Sequence, residues 1–194
     1  QLGRKDSPSF PVTTNDELAL ILAGLDLFAI DKLTGDLEWR IRLPGQPSTR
    51  PVMDDTQVYV GMLDGSVYAS NLRKIGELYE QNLLPEWSFE ALTWRYQANE
   101  RITTPPIPWQ DFVAFSSEDH SLYSVAKEGR KLRFQMETDA PITAPMTHSD
   151  GYLFMASKDF NVYAISLTSG KIRWQYVTGL PIIPGPKAIL DNLY

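Results

Sequence analysis

LALILAGLDLFAI (18–30), VYVGMLDGSVYAS (58–70), VAFSSEDHSLYSV (113–125) and LFMASKDFNVYAI (153–165) align without a gap. Each alternates apolar with small or polar residues, passes through a turn and alternates again, which is the pattern of a β-hairpin. Phe28, Tyr68, Tyr123 and Tyr163 share one column at spacings of 40, 55 and 40 residues, and Gly24, Asp64, Asp119 and Asp159 share the turn column. An aromatic column follows the hairpins: Trp39, Trp94, Phe134 and Trp174, spaced 55, 40 and 40. A proline column precedes them: Pro11, Pro51, Pro105, Pro145 and Pro186, spaced 40, 54, 40 and 41. Columns that recur at one period mark a repeat architecture.

The one long interval locates an insertion. Ala29 to Trp39, Ser124 to Phe134 and Ala164 to Trp174 each span 10 residues, but Ala69 to Trp94 spans 25. About 15 extra residues therefore lie near 74–88. Without them each unit reads as four short antiparallel strands in about 40 residues, the size of a β-propeller blade. The expected fold is all-β, with four-stranded antiparallel blades near 8–43, 47–96, 101–137 and 141–178 and the start of a fifth at 181–194.

A blade must bury both faces against its neighbours, and a Trp near its edge supplies a large flat apolar area for the seam. Trp39 and Trp174 are therefore expected to be buried between blades, with Trp94 and Phe134 in equivalent places. AIDKLTGDLEW (29–39) and AISLTSGKIRW (164–174) extend the signature. Gly35 and Gly170 stand where the turn between the third and fourth strands needs a positive φ. Asp31 and Thr34 are placed to satisfy backbone groups of that turn.

The pattern resembles the tryptophan-docking repeat of quinoprotein alcohol dehydrogenases and of the non-enzymatic propellers related to them. The latter include the outer-membrane assembly lipoprotein, the nearest in kind, and the luminal domains of unfolded-protein sensor kinases. Ala29, Asp31, Thr34, Gly35 and Trp39 match throughout. Ala164, Gly170 and Trp174 match, with Ser166 in place of the Asp. The third unit keeps Gly129 and has Phe134 for the Trp, and the second keeps Ala69 and Trp94 on either side of the insertion. The resemblance implies the quinoprotein-like propeller fold strongly and a function weakly, because one fold hosts many functions.

The chemistry readable from the chain is sparse. The 194 residues carry a formal net charge of −6 and no Cys. That charge argues against sequence-independent nucleic-acid binding, which depends on Lys and Arg neutralising phosphates, and disfavours an anionic membrane surface. Disulfides, thiolate nucleophiles and Cys-ligated metals are excluded. The longest apolar run, Leu18 to Leu25, is too short to span a bilayer. His120 falls in the hairpin-turn column and His148 in a first-to-second-strand loop, on opposite faces of the repeat. Asp54-Asp55 aligns with Asn15-Asp16 and Ser149-Asp150, which reads as a turn. The alcohol-oxidising relatives place adjacent cysteines over their quinone, and no carboxylate set can be assigned to calcium from spacing. No catalytic, cofactor-binding or metal-binding residue is assigned, and no cofactor is expected.

The function expected is a non-catalytic scaffold for protein–protein interaction outside the cytoplasm, in the periplasm or its equivalent. The alternative is part of a quinone-dependent dehydrogenase, or of another ligand-binding propeller, with further blades elsewhere. Candidate contact residues are Arg50 and Arg101 near the central axis, and Tyr79, Leu83, Leu84 and Trp87 in the insertion. Leu72, Ile75, Leu78 and Tyr79 recur at helical spacing. They predict a short helix ended by Pro85, with Trp87 packed on the blade and part of the Leu72–Leu84 stretch exposed. Gln1-Leu2 align with the residues that follow Trp39 and Trp174. The chain is thus expected to be a segment of a seven- or eight-bladed propeller whose open blade faces favour self-association.

Overall fold

The computed structural model describes residues 10–128, 131–180, 182, 185–189 and 192–193. Four antiparallel four-stranded sheets follow one another along the chain. Blade one holds β1 (Thr13–Thr14), β2 (Leu18–Ala23), β3 (Asp26–Asp31) and β4 (Leu37–Arg42). Blade two holds β5 (Val52–Met53), β6 (Gln57–Gly61), β7 (Ser66–Asn71) and β8 (Leu92–Gln97). Blade three holds β9 (Ile107–Trp109), β10 (Phe112–Ser116), β11 (Ser121–Ala126) and β12 (Leu132–Glu137). Blade four holds β13 (Thr147–Ser149), β14 (Tyr152–Ala156), β15 (Asn161–Ser166) and β16 (Ile172–Val177). A further pair, β17 (Ala188–Ile189) and β18 (Asn192–Leu193), stands next to β13. The strand order within every blade is the sequence order, so the fold is the all-β propeller that the repeat predicts. The alignment of Gln1-Leu2 and the Gly129 match lie outside the described residues, as does part of the 181–194 segment.

Each proline of the column stands one or two residues ahead of its innermost strand rather than within it, where its missing N–H takes no ladder bond away. The hairpins are not gapless in space. Val58 pairs Ser70, Val113 pairs Val125 and Leu153 pairs Ile165, whereas Leu18 pairs Asp31, one residue further on. Blade one turns through Gly24 at φ 65 and Leu25, one residue fewer than the turns of the other blades. A slip of one residue exchanges the two faces of a strand. Leu20, and not its aligned neighbour, therefore occupies the place of Tyr59.

The core is a set of layers between blades. In each seam the face of one blade that carries the repeat aromatic meets the opposite face of the next. Leu20, Leu27, Trp39 and Ile41 meet Val58 and Val60. Tyr59, Ala69 and Trp94 meet Val113, Phe115 and Val125. Ala114, Leu122 and Phe134 meet Leu153, Met155 and Tyr163. Trp39 keeps 7% of its surface and Trp94 4%. Phe134 is half-buried, and a Cβ on Gly170 would lie 2.5 Å from its ring. Gly170, at φ 70, thus both makes the turn and forms the seat for the preceding blade's aromatic. Trp174 departs from the expectation of burial. It is 40% exposed, because among the described residues only the short β17–β18 pair follows blade four and no outer strands cover this face.

In blades three and four the turn and tyrosine columns are chemically one feature. Tyr123 donates its hydroxyl to Asp119 at 2.6 Å and Tyr163 to Asp159 at 2.7 Å, four residues back across the hairpin. The same carboxylates accept from the backbone N–H of Ser121 and Asn161. Blade one has Gly24 and Phe28 at these places and loses both partners together. The Phe28 ring instead lies under Arg40, as the Tyr68 ring lies under Arg95 in blade two.

Candidate interaction surface

The insertion is built onto two blades at once. Asn71 caps a helix, α1 (Leu72–Glu80), by accepting from the Lys74 N–H at 2.9 Å. Arg73 and Lys74 pair with Glu77 along its exposed side. The helix does not run to Pro85. Asn82, at φ 55, ends it by donating to the Tyr79 carbonyl, while the Leu83 N–H reaches the Leu78 carbonyl. This is the paired cap that closes helices through a left-handed residue, a role Asn tolerates. Ile75 and Leu78 are buried in the seam of blades one and two, with Leu83 and Leu84 packed against it. The helix therefore supports the Trp39 seam at the place where other blades have only a turn.

Two polar contacts fasten the insertion to the outer edge of blade one. The Tyr79 hydroxyl donates to the Leu37 carbonyl, and Ser88 Oγ accepts from the Arg42 N–H at 2.8 Å. Both backbone groups belong to β4, the edge strand, whose unpaired N–H and C=O groups are otherwise a template for pairing.

Trp87 does not pack on the blade, as the sequence reading has it. It is 46% exposed and stacks on Phe89, which is more exposed still, with ring centroids 5.7 Å apart. The reason is the short 3-10 turn Ser88–Ala91, which buries Ser88 and Ala91 and turns the two aromatic rings outward. Beside them Arg42, Leu43, Pro44, Pro85 and Leu92 line a cavity of about 240 Å³. Phe89 escaped the sequence reading because it stands one residue beyond the 74–88 bounds of the insertion.

Arg50 and Arg101 line different cavities and do not form one site. Arg50 donates to Thr13 Oγ1 at 3.2 Å beside the innermost strands. Arg101 is exposed and paired with Glu118, Nε to Oε2 at 2.7 Å. Asp54 does more than hold a turn. One carboxylate oxygen accepts from the Thr56 and Gln57 N–H groups, and the other takes the Tyr59 hydroxyl at 2.8 Å and Lys127 Nζ at 2.6 Å from blade three. Burial pushes its pKa upward, but Lys127 and these hydrogen bonds outweigh burial and hold it at about 2. A carboxyl depressed in the folded state contributes stability above its unfolded pKa and loses it as pH falls through the folded one. Stability is thus expected to fall between about pH 4 and pH 2 by roughly 1 kcal/mol more in the parent than in Asp54→Asn, after screening of this partly solvated pair. Urea titrations at both pH values check this, and equal acid sensitivity would remove Asp54 from the account.

A family profile described as outer membrane protein assembly factor BamB matches residues 1–104 and again 88–192. The chain belongs to that family. The crystal structure of BamB from Moraxella catarrhalis superimposes with a TM-score of 0.72 at 17% identity, covering 95% of this chain and 54% of that one. The computationally designed Ika8 protein superimposes with a TM-score of 0.70 at 11% identity, covering 94% of this chain and 53% of its own. The chain thus spans about half the length of these two structures. No curated protein sequence is recognisably similar to it. Among the described residues no helix is long and apolar enough to cross a membrane, and no three His, Cys, Asp or Glu side chains gather as a metal site would require.

Proposed function

We propose that this BamB-family propeller is a non-catalytic scaffold that holds protein partners during outer-membrane protein assembly, on the periplasmic side. The observation that carries this reading is the exposed Trp87–Phe89 stack, presented on an insertion whose own core is buried between two blades. Rigid exposed aromatics beside an apolar cavity are the anchors that protein interfaces favour. Leu83 and Leu84 pack on the seam beneath it, and Tyr79, 43% exposed, stays with Trp87 among the contact residues. Family membership sets the cellular task within this proposal.

The test is site-specific photo-crosslinking from positions 87 and 89 in the source organism. Crosslinks to outer-membrane assembly proteins are expected, and so is their loss in Trp87→Ala/Phe89→Ala with the urea midpoint unchanged. Crosslinks that survive the double variant would overturn the site. A titration of the protein with pyrroloquinoline quinone and Ca²⁺ is expected to leave the quinone spectrum unshifted, and a saturable shift would move the reading to an enzyme domain.

A further inference from the structure

Blade two breaks the repeat at one buried place. In blades one, three and four, Leu18, Phe112 and Tyr152 each pair with the last residue of the neighbouring strand. In blade two that place holds Gln57, paired with Asn71. Side chains alternate along a strand, so Gln57 faces the same side as Tyr59, the side that packs on blade three. It keeps only 9% of its surface, and its Oε1 is buried with no hydrogen-bond partner among the described residues. An unpaired acceptor in a seam is costly, and an apolar residue, as in the other blades, would avoid that cost.

Gln57 lines a cavity of about 670 Å³ between blades two and three. Asn71, which caps α1, lines it too, so the cavity opens on the face that carries the insertion. Its lining holds four carboxylates, those of Asp54, Asp55, Asp111 and Glu128, and one ammonium. That ammonium, Lys127, is taken by Asp54, while Arg133 Nη1 reaches both oxygens of Asp111. Among the described residues Asp55 pairs with no cation. The groups left over are therefore acceptors: the Gln57 amide oxygen and the Asp55 carboxylate. We propose that this cavity binds a guanidinium group, that of an arginine side chain on a protein partner. A guanidinium is a planar fork of donors with no acceptor, so it can serve an amide oxygen and a carboxylate together. Gln57 Oε1 lies below the cavity surface, and the amide's terminal torsion, which is soft, turns it to the ligand. The site stands apart from the Trp87–Phe89 stack and does not depend on it.

An NMR titration of the isotope-labelled full chain at low salt tests this. The probe is acetyl-Gly-Arg-Gly-amide, and its control is the citrulline peptide, which keeps the shape and lacks the charge. The arginine peptide should give saturable shifts at Asp55, Gln57 and Asn71, and the citrulline peptide none. Gln57→Met and Asp55→Asn should each weaken binding at least about tenfold, as for loss of a hydrogen bond to a charged group. Without peptide, the urea midpoint of Gln57→Met should equal or exceed the parent's, because the variant removes a buried acceptor that the folded chain leaves unpaired. Methylguanidinium should bind at least about tenfold more weakly than the arginine peptide, since the cavity is far larger than a guanidinium and holds flanking backbone as well. Equal affinities would make the ligand a small guanidinium compound and overturn the assignment to a protein. Equal binding of the citrulline peptide, or no saturable shift with the arginine peptide, overturns the site. So does a lowered urea midpoint in Gln57→Met, which would give the amide a structural role.

Discussion

Trp39→Ala is expected to lower the unfolding free energy by about 3–5 kcal/mol, the usual range for deleting a large buried aromatic. The same change at Trp174 is expected to cost roughly 1 kcal/mol in dilute solution, nearer the range of surface substitutions. The two residues hold one place in the repeat and differ in what covers them. Trp39 lies among Leu20, Ile41, Ile75, Leu78 and Ala91, so its removal leaves a cavity walled by two blades and a helix. Trp174 touches Phe154, with centroids 6.0 Å apart, and among the described residues keeps 40% of its surface exposed. Urea midpoints of the two variants, measured side by side, decide the matter. Equal losses would mean that the repeat position alone, and not its cover, sets the contribution.

That contrast also shows how far the sequence could be read. Periodicity located the strands and the aromatic seam because spacing follows directly from strand length and turn geometry. It could not show that Trp174 is 40% exposed among the described residues, since burial depends on what stands across the seam. The turn of blade one failed for a related reason. A gapless alignment scores residue types, and an alternating strand looks alike in either register, so the missing turn residue passed unseen until the pairing of Leu18 with Asp31 exposed it.

The candidate surface was less legible. The helix in the insertion followed from the spacing of Leu72, Ile75, Leu78 and Tyr79, and its apolar side does face the blades. Its end did not follow from Pro85, because Asn82 had already turned the chain. Sequence alone places Trp87 on the blade. A large ring is usually covered, but the buried pair Ser88 and Ala91 takes the inward positions of that turn. The Asp54–Lys127 link joins residues of two blades and leaves no periodic trace, so only coordinates reveal it.

The insertion gives the largest effect. Replacing residues 74–88 by a short Gly-containing turn restores the spacing of the other blades, and sequence alone predicts an intact fold. The structure predicts a loss of at least about 4 kcal/mol, because two buried aliphatics, Ile75 and Leu78, leave the seam and each such truncation commonly costs 2–5 kcal/mol. The new turn can offer Trp39 a seat of the Gly170 kind, which offsets part of this. It cannot replace the bonds that Tyr79 and Ser88 make to β4, so the edge of blade one is uncovered as well. The damage should stay local, because repeat proteins are held together mainly by nearest-neighbour seams. The seams of blades two with three and three with four contain no insertion residue. Hydrogen exchange should therefore quicken across residues 18–31 and 37–42, while 112–116 and 153–156 keep their protection. An unchanged urea midpoint would make the insertion an ornament on the blade. Uniform loss of protection in all four blades would instead show that the propeller unfolds as a single unit, and would refute the seam-by-seam account of its stability.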